Sequence, residues 1–130
     1  MFKNPFSFNG RIRRLEYGIS VIIYTVIYYA FIFVTAFNQD SIEGPSALLS
    51  IIALLVFIPL FWFIIAQNAK RCHDRGNSGW WQLIPFYGIM LLFGDSEHGP
   101  NEYGPNPKDI GNESLLNDFA EELHPENNTE

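Results

Sequence analysis

The chain is poor in sulfur and in positive charge, and parts of it have no charge at all. Its single cysteine, Cys72, excludes an internal disulfide. Although Arg71 and Arg75 are near it in sequence, Cys72 reads as a small loop filler and not as a reactive thiol. Neither Tyr17 to Phe37 nor Ser46 to Ala66, each 21 residues long, contains any Asp, Glu, Lys, Arg or His. Their length excludes an ordinary soluble domain, because about 20 apolar residues, rising about 1.5 Å each, cross a hydrocarbon core of about 30 Å. The missing ionisable groups also argue against a proton or ion route through these segments. No internal repeat is present.

The 48% apolar content and the formal charge of −6 average over unlike regions. Ten of the fourteen acids lie from Asp95 onward, and seven of the eight Lys and Arg lie before Trp80. The cations form two short clusters beside apolar runs, which is not the continuous basic face that a nucleic acid needs. Four precede the first run, none lies in the 38–45 turn, three follow the second run and one, Lys108, lies in the tail. Cytoplasmic segments retain positive charge, so residues 1–16 and the loop from 69 to 79 are expected in the cytoplasm. The first run is too long and aromatic for a cleaved signal peptide and reads as a retained anchor.

These features predict an all-α membrane protein, a small helical bundle with two full transmembrane helices at 17–37 and 46–66 and a short third segment at 80–93. Residues 1–16 form an interfacial segment, with Asn9 a plausible cap, and 17–107 the transmembrane domain. Residues 108–130 read as an acidic, largely flexible tail in which Leu115, Leu116, Phe119 and Leu123 mark one short amphipathic helix. Within the first span, Tyr17, Ser20, Tyr24, Tyr28, Phe31 and Thr35 fall on one helical face, which should turn toward other helices. Pro59 predicts a kink in the second span. The third run has only 14 residues and is interrupted by Pro85 and Gly88. The low Lys and Arg count beyond it favours a crossing with an external tail over a dip and return.

The chemistry concentrates in "AKRCHDRGNSGWWQLIPF", residues 69 to 86. Lys70, Arg71 and Arg75 can reach lipid phosphates, His73 can titrate near neutrality, and Asp74 can pair with Arg11, Arg13 or Arg14. Trp80 and Trp81 suit the headgroup layer. A catalytic site would need a nucleophile, an oriented base and charge-stabilising donors. His73 and Asp74 are adjacent, so on a helix they point about 100° apart and form no relay. Cys72, His73, Glu97 and His98 have no paired metal-ligand spacing, and Gly76 and Gly79 belong to no phosphate-loop spacing. No metal or cofactor is called for. The candidate binding residues are Arg11, Arg14, Glu16, Arg71, His73, Asp74, Arg75, Trp80 and Trp81, facing anionic membrane lipid, a protein partner or a second copy of the chain.

Three ordered motifs carry a family resemblance. Gly10, Arg11, Arg14, Glu16 and Tyr17 precede the first span; Arg71, His73, Asp74, Ser78, Gly79, Trp80 and Trp81 form the central loop; Asn101, Tyr103, Gly104 and Pro107 follow the third run. The chain resembles, over about residues 6 to 107, the bacterial inner-membrane family catalogued as domain of unknown function 805. It departs from that pattern at Cys72, where an aliphatic residue is expected, and in the shortness of the third run. The resemblance implies a multi-pass inner-membrane protein with no established activity. The functional expectation is a non-enzymatic interaction or scaffold module. The alternatives are an oligomeric transporter or channel subunit, with Tyr24 and Tyr28 lining a path, and a membrane-surface enzyme acting on a phosphate-bearing lipid.

Overall fold

A computed structural model describes residues 3–37 and 47–123; the expected turn at 38–45 lies outside the described residues. Two long helices dominate, α1 (Arg14–Phe37) and α2 (Ala47–Asp74). Both are rich in β-branched and aromatic residues, which are mediocre helix formers in water. In hydrocarbon, however, a helix is the structure that satisfies every backbone N–H and C=O within the segment. Very little of the apolar stretch of either helix is buried by the protein, so neither stretch resembles the core helix of a soluble domain. The exposed residues are large and apolar, including Ile22, Val26, Phe33, Leu48, Leu55 and Ile58, as expected of side chains that meet lipid.

The predicted face of α1 is the one turned inward. Tyr17 and Ser20 are buried, Tyr24, Tyr28, Phe31 and Thr35 are half-buried, and their neighbours are mostly exposed. Tyr24 stacks on Tyr28 with ring centroids 5.9 Å apart, and Tyr28 meets Phe57 of α2 at 6.2 Å. The hydroxyls of Ser20 and Thr35 donate back to their own helix, at Glu16 O and at Phe31 and Ile32 O. Pro59 lies inside α2, which continues as one helix of 28 residues, about 42 Å long and thus longer than a hydrocarbon core. The excess is its polar C-terminal end.

The third apolar run is short and broken, as its proline and glycine predict. It consists of a short 3₁₀ helix, Gly79–Leu83, and a seven-residue helix α3 (Tyr87–Phe93). The break falls at Pro85 and Phe86, with Phe86 in the left-handed region at φ 65°, a conformation costing an aromatic residue roughly 1–3 kcal/mol. Gly79 allows the 3₁₀ helix to lie directly on α2, since a Cβ there would come within 3.0 Å of Ala69 Cβ. After α3 the chain returns to the end of the bundle it left, where Glu97 N donates to Asp74 O at 2.9 Å. A low Lys and Arg count could not reveal this, because the returning backbone is held through its carbonyls.

The expected domain boundary at 107 falls inside a hydrogen-bonded unit. Gly99 N donates to Ile110 O at 3.0 Å, and Asn112 Oδ1 accepts from Asn106 N at 2.8 Å. The amphipathic helix predicted in the tail is present as α4 (Glu113–Leu123). Leu116 and Phe119 on it are exposed, and the side chains of Leu115 and Leu123 lie outside the described residues.

Candidate functional site

At the C-terminal end of α2, Gln67, Lys70, Arg71 and Asp74 are all buried. Their spacing of three, four and seven puts them on one helical face, which three other segments cover. The first is the N-terminal strap, residues 3–12. Gln67 Nε2 donates to Pro5 O at 2.7 Å, Lys70 Nζ to Asn4 O at 3.1 Å and Trp62 Nε1 to Phe6 O at 3.1 Å. Phe8 meets Trp62 edge-on at 5.1 Å, and Phe6 meets Phe63 at 6.1 Å. The strap is thus clipped to α2 by backbone carbonyls and aromatic edges.

Asp74 is the centre of the arrangement. Its side chain and that of Arg71 are 0% exposed, and Arg11 from the strap is almost as deeply buried. Arg11 Nε donates to Asp74 Oδ1 at 3.2 Å, Arg71 Nη1 donates to Oδ2, and Ser96 Oγ donates to Oδ2 at 2.5 Å. Arg71 Nη1 also donates to Ser96 Oγ at 3.3 Å, and further guanidinium donors go to backbone carbonyls. Arg71 Nε reaches Leu91 O at 2.9 Å, and Nη2 reaches Gly94 O, so Arg71 fastens the end of α3 to α2. Arg11 Nη1 donates to Gly99 O at 2.8 Å and Gly104 O at 3.2 Å, while Nη2 donates to Glu97 O at 2.8 Å and Asp74 O at 3.2 Å. One carboxylate therefore holds two cations, and the cations hold the strap, α3 and the segment after it. Such burial is tolerated only because every partner is hydrogen-bonded as well as charge-paired.

The structure divides the candidate residues into two groups. Arg11, Arg71 and Asp74 come together as the sequence suggested for an Arg–Asp pair, but they face inward and Arg71 has no accessible surface for a lipid phosphate. Lys70 is nearly as buried but, unlike Arg71, borders a polar cavity. His73 is stacked flat on Tyr103, with centroids 3.9 Å apart and planes within 2°, and its backbone carbonyl accepts from Asn101 Nδ2 at 2.9 Å. A hydrogen bond with Glu102 pushes the Tyr103 hydroxyl upward from its ordinary titration, so that ring is a neutral phenol at physiological pH.

The remaining candidates are peripheral. Arg75 Nη1 donates to Met90 O at 2.8 Å, and Arg14 forms an exposed ion pair with Asp95 at 3.6 Å. Glu16 lines a polar cavity beside Lys70, while Trp80 and Trp81 are exposed, Trp80 by 77%. Trp81 also packs on the buried Tyr87, whose hydroxyl accepts from Asn77 Nδ2 at 2.7 Å. Cys72 lies on α2 and not in a loop, and it fills the core among Ile12, Tyr17, Tyr87 and Leu91.

Sequence reasoning passed over Gln67, Ser96 and Asn106, and named Asn101 only as part of the third motif. The first had a visible signal, because Gln67, Lys70, Arg71 and Asp74 repeat at helical spacing immediately after an apolar run. Ser96 and Asn106 had none. Asn101 Nδ2 bridges His73 O and Glu97 Oε2, and buried Asn106 donates to Glu97 O at 2.7 Å.

Relatives of known name extend over most of this chain. It is 32% identical over 116 residues to the inner membrane protein YhaH of Escherichia coli (strain K12), covering 83% of this chain and 93% of that one. It is 33% identical over 115 residues to the inner membrane protein YhaI of the same organism, covering 83% and 92%. No solved structure matches. The exposed apolar helices and these relatives make the chain an integral protein of the inner membrane. Residues 5–105 match the family described as protein of unknown function (DUF805), and the chain belongs to that family.

Proposed function

We propose that the chain is a non-enzymatic interaction module of the inner membrane, anchored by two spans and presenting a rigid polar cap in the cytoplasm to anionic lipid or to a protein partner. The observation carrying this reading is that Arg11, Arg71 and Asp74 spend their hydrogen bonds on one another, on Ser96 Oγ and on the chain's own carbonyls. A catalytic constellation instead needs groups aimed at an accessible reacting atom. His73 is covered by Tyr103, and Cys72 is sealed in apolar surroundings. A path along Tyr24 and Tyr28 draws no support from the packing of Tyr28 on Phe57.

The cytoplasmic assignment follows from the cation distribution. The strap and residues 97–107 share one end of the bundle, so the tail follows the N-terminus to the same side. Variants Lys3→Cys and Glu102→Cys, each adding one cysteine, test this against a low background, because native Cys72 is buried. In inside-out vesicles an impermeant maleimide should label both, and labelling from opposite faces would refute the topology. The interaction role is tested by purifying the wild type and Arg71→Lys from native membrane and identifying bound lipids and proteins by mass. A cap that recognises a partner should lose it when unlocked, and identical companions in both preparations would count against the role.

A further inference from the structure

The seam between α1 and α2 changes character along its length. Toward the bilayer it is an apolar groove of about 410 Å³, lined by Ile23 and Ile27 of α1, by Val56, Leu60 and Phe63 of α2, and by Phe6 of the strap. A second cavity of about 570 Å³ is polar and is bordered by Lys3, Asn4, Arg13, Glu16 and Lys70. Both volumes fall in the range of roughly 300–1,000 Å³ usual for ligand sites. Helical geometry fixes their order. Phe63 and Lys70 are seven residues apart on α2, as are Ile23 and Glu16 on α1, so each pair lies on one face about 10 Å apart along its axis. The strap joins the two cavities, with Lys3 and Asn4 bordering one and Pro5 and Phe6 the other.

We propose that this seam binds one anionic glycerophospholipid, with an acyl chain in the groove and the phosphate-bearing headgroup in the polar cavity. The proposal rests on the reading that this end of the bundle lies at the cytoplasmic surface, where anionic lipid is the prevailing charge. Charge selects the headgroup. Lys3, Arg13 and Lys70 face one carboxylate, Glu16, whereas Arg11, which also borders the cavity, is ion-paired with Asp74. Among the described residues Lys70 makes one hydrogen bond, to Asn4 O, of the three that an ammonium can donate. Among the same residues Arg13 donates through Nε to Pro107 O, and its terminal nitrogens suit an anion. The groove selects the chain, since an opening to hydrocarbon lined by apolar side chains holds no stable water. A helix of a second copy could fill the groove but would leave the cationic cavity uncompensated.

The test uses the full chain in a non-ionic detergent, titrated with phosphatidylglycerol or phosphatidylcholine and read by native mass spectrometry. The expected result is one phosphatidylglycerol per chain, held about fivefold or more tighter than phosphatidylcholine, the scale of one basic residue at an anionic surface. Lys3→Ala should remove about fivefold of that affinity, and Lys3→Arg should preserve it. Ile27→Trp, which fills the groove, should abolish retention of both lipids while helix content and monodispersity stay unchanged. Equal binding of the two lipids, or undiminished phosphatidylglycerol on Ile27→Trp, would overturn the proposal. Inorganic phosphate displacing the lipid headgroup without loss in Ile27→Trp would also overturn it and assign the cavity to a free anion. Cap integrity is read separately by maleimide on native Cys72, which stays unlabelled while it is buried, so lipid loss with the cap intact bears on this site alone.

Discussion

The membrane hairpin and the cap obey opposite rules within one chain. Along α1 and α2 the apolar side chains are outside, and the inward face of α1 carries tyrosines and hydroxyls. In the cap the most deeply buried side chains include Arg71, Lys70, Gln67 and Asp74. The difference follows from the solvent. Lipid offers no hydrophobic drive for burying a leucine, so helices associate through shape and a few polar contacts. At the water boundary, charge can be buried only as a fully bonded network, which makes the cap specific and fragile and leaves the hairpin tolerant.

The sharpest way to break this contrast is Asp74→Ala, which strands Arg11 and Arg71 in a buried site. A loss of about 3–5 kcal/mol is expected, read by denaturant unfolding in detergent; a loss below about 1 kcal/mol would mean the network does not hold the cap. Arg71→Lys keeps the charge but removes the fork that reaches Leu91 and Gly94 carbonyls. It should cost about 2–3 kcal/mol, with faster proteolysis after α3. Gly94→Ala should cost about 1–3 kcal/mol, since a Cβ there would lie 2.6 Å from Met90 O and inside the Arg75 side chain. At the tolerant end, Arg14→Ala removes an exposed ion pair with Asp95 and should change stability by no more than about 1 kcal/mol. Ile22→Leu on the lipid-facing side of α1 should leave the unfolding midpoint within about 0.5 kcal/mol of wild type, and a larger shift would mean this face packs against protein.

Sequence alone determined the two long apolar helices and the inward stripe of α1, because both are written in local periodicity and in the absence of charge. It also showed that an arginine near the N-terminus could meet Asp74, since buried acids need cations. Tertiary structure alone decided that the meeting excludes Arg71 from lipid, that the run from Trp80 turns back, and that residues beyond 107 join the cap. Those outcomes depend on guanidinium hydrogens finding the carbonyls of Leu91, Gly94, Glu97, Gly99 and Gly104. Every residue carries a carbonyl, so no side-chain pattern marks which of them an arginine will choose, and only the folded path of the backbone brings them within reach.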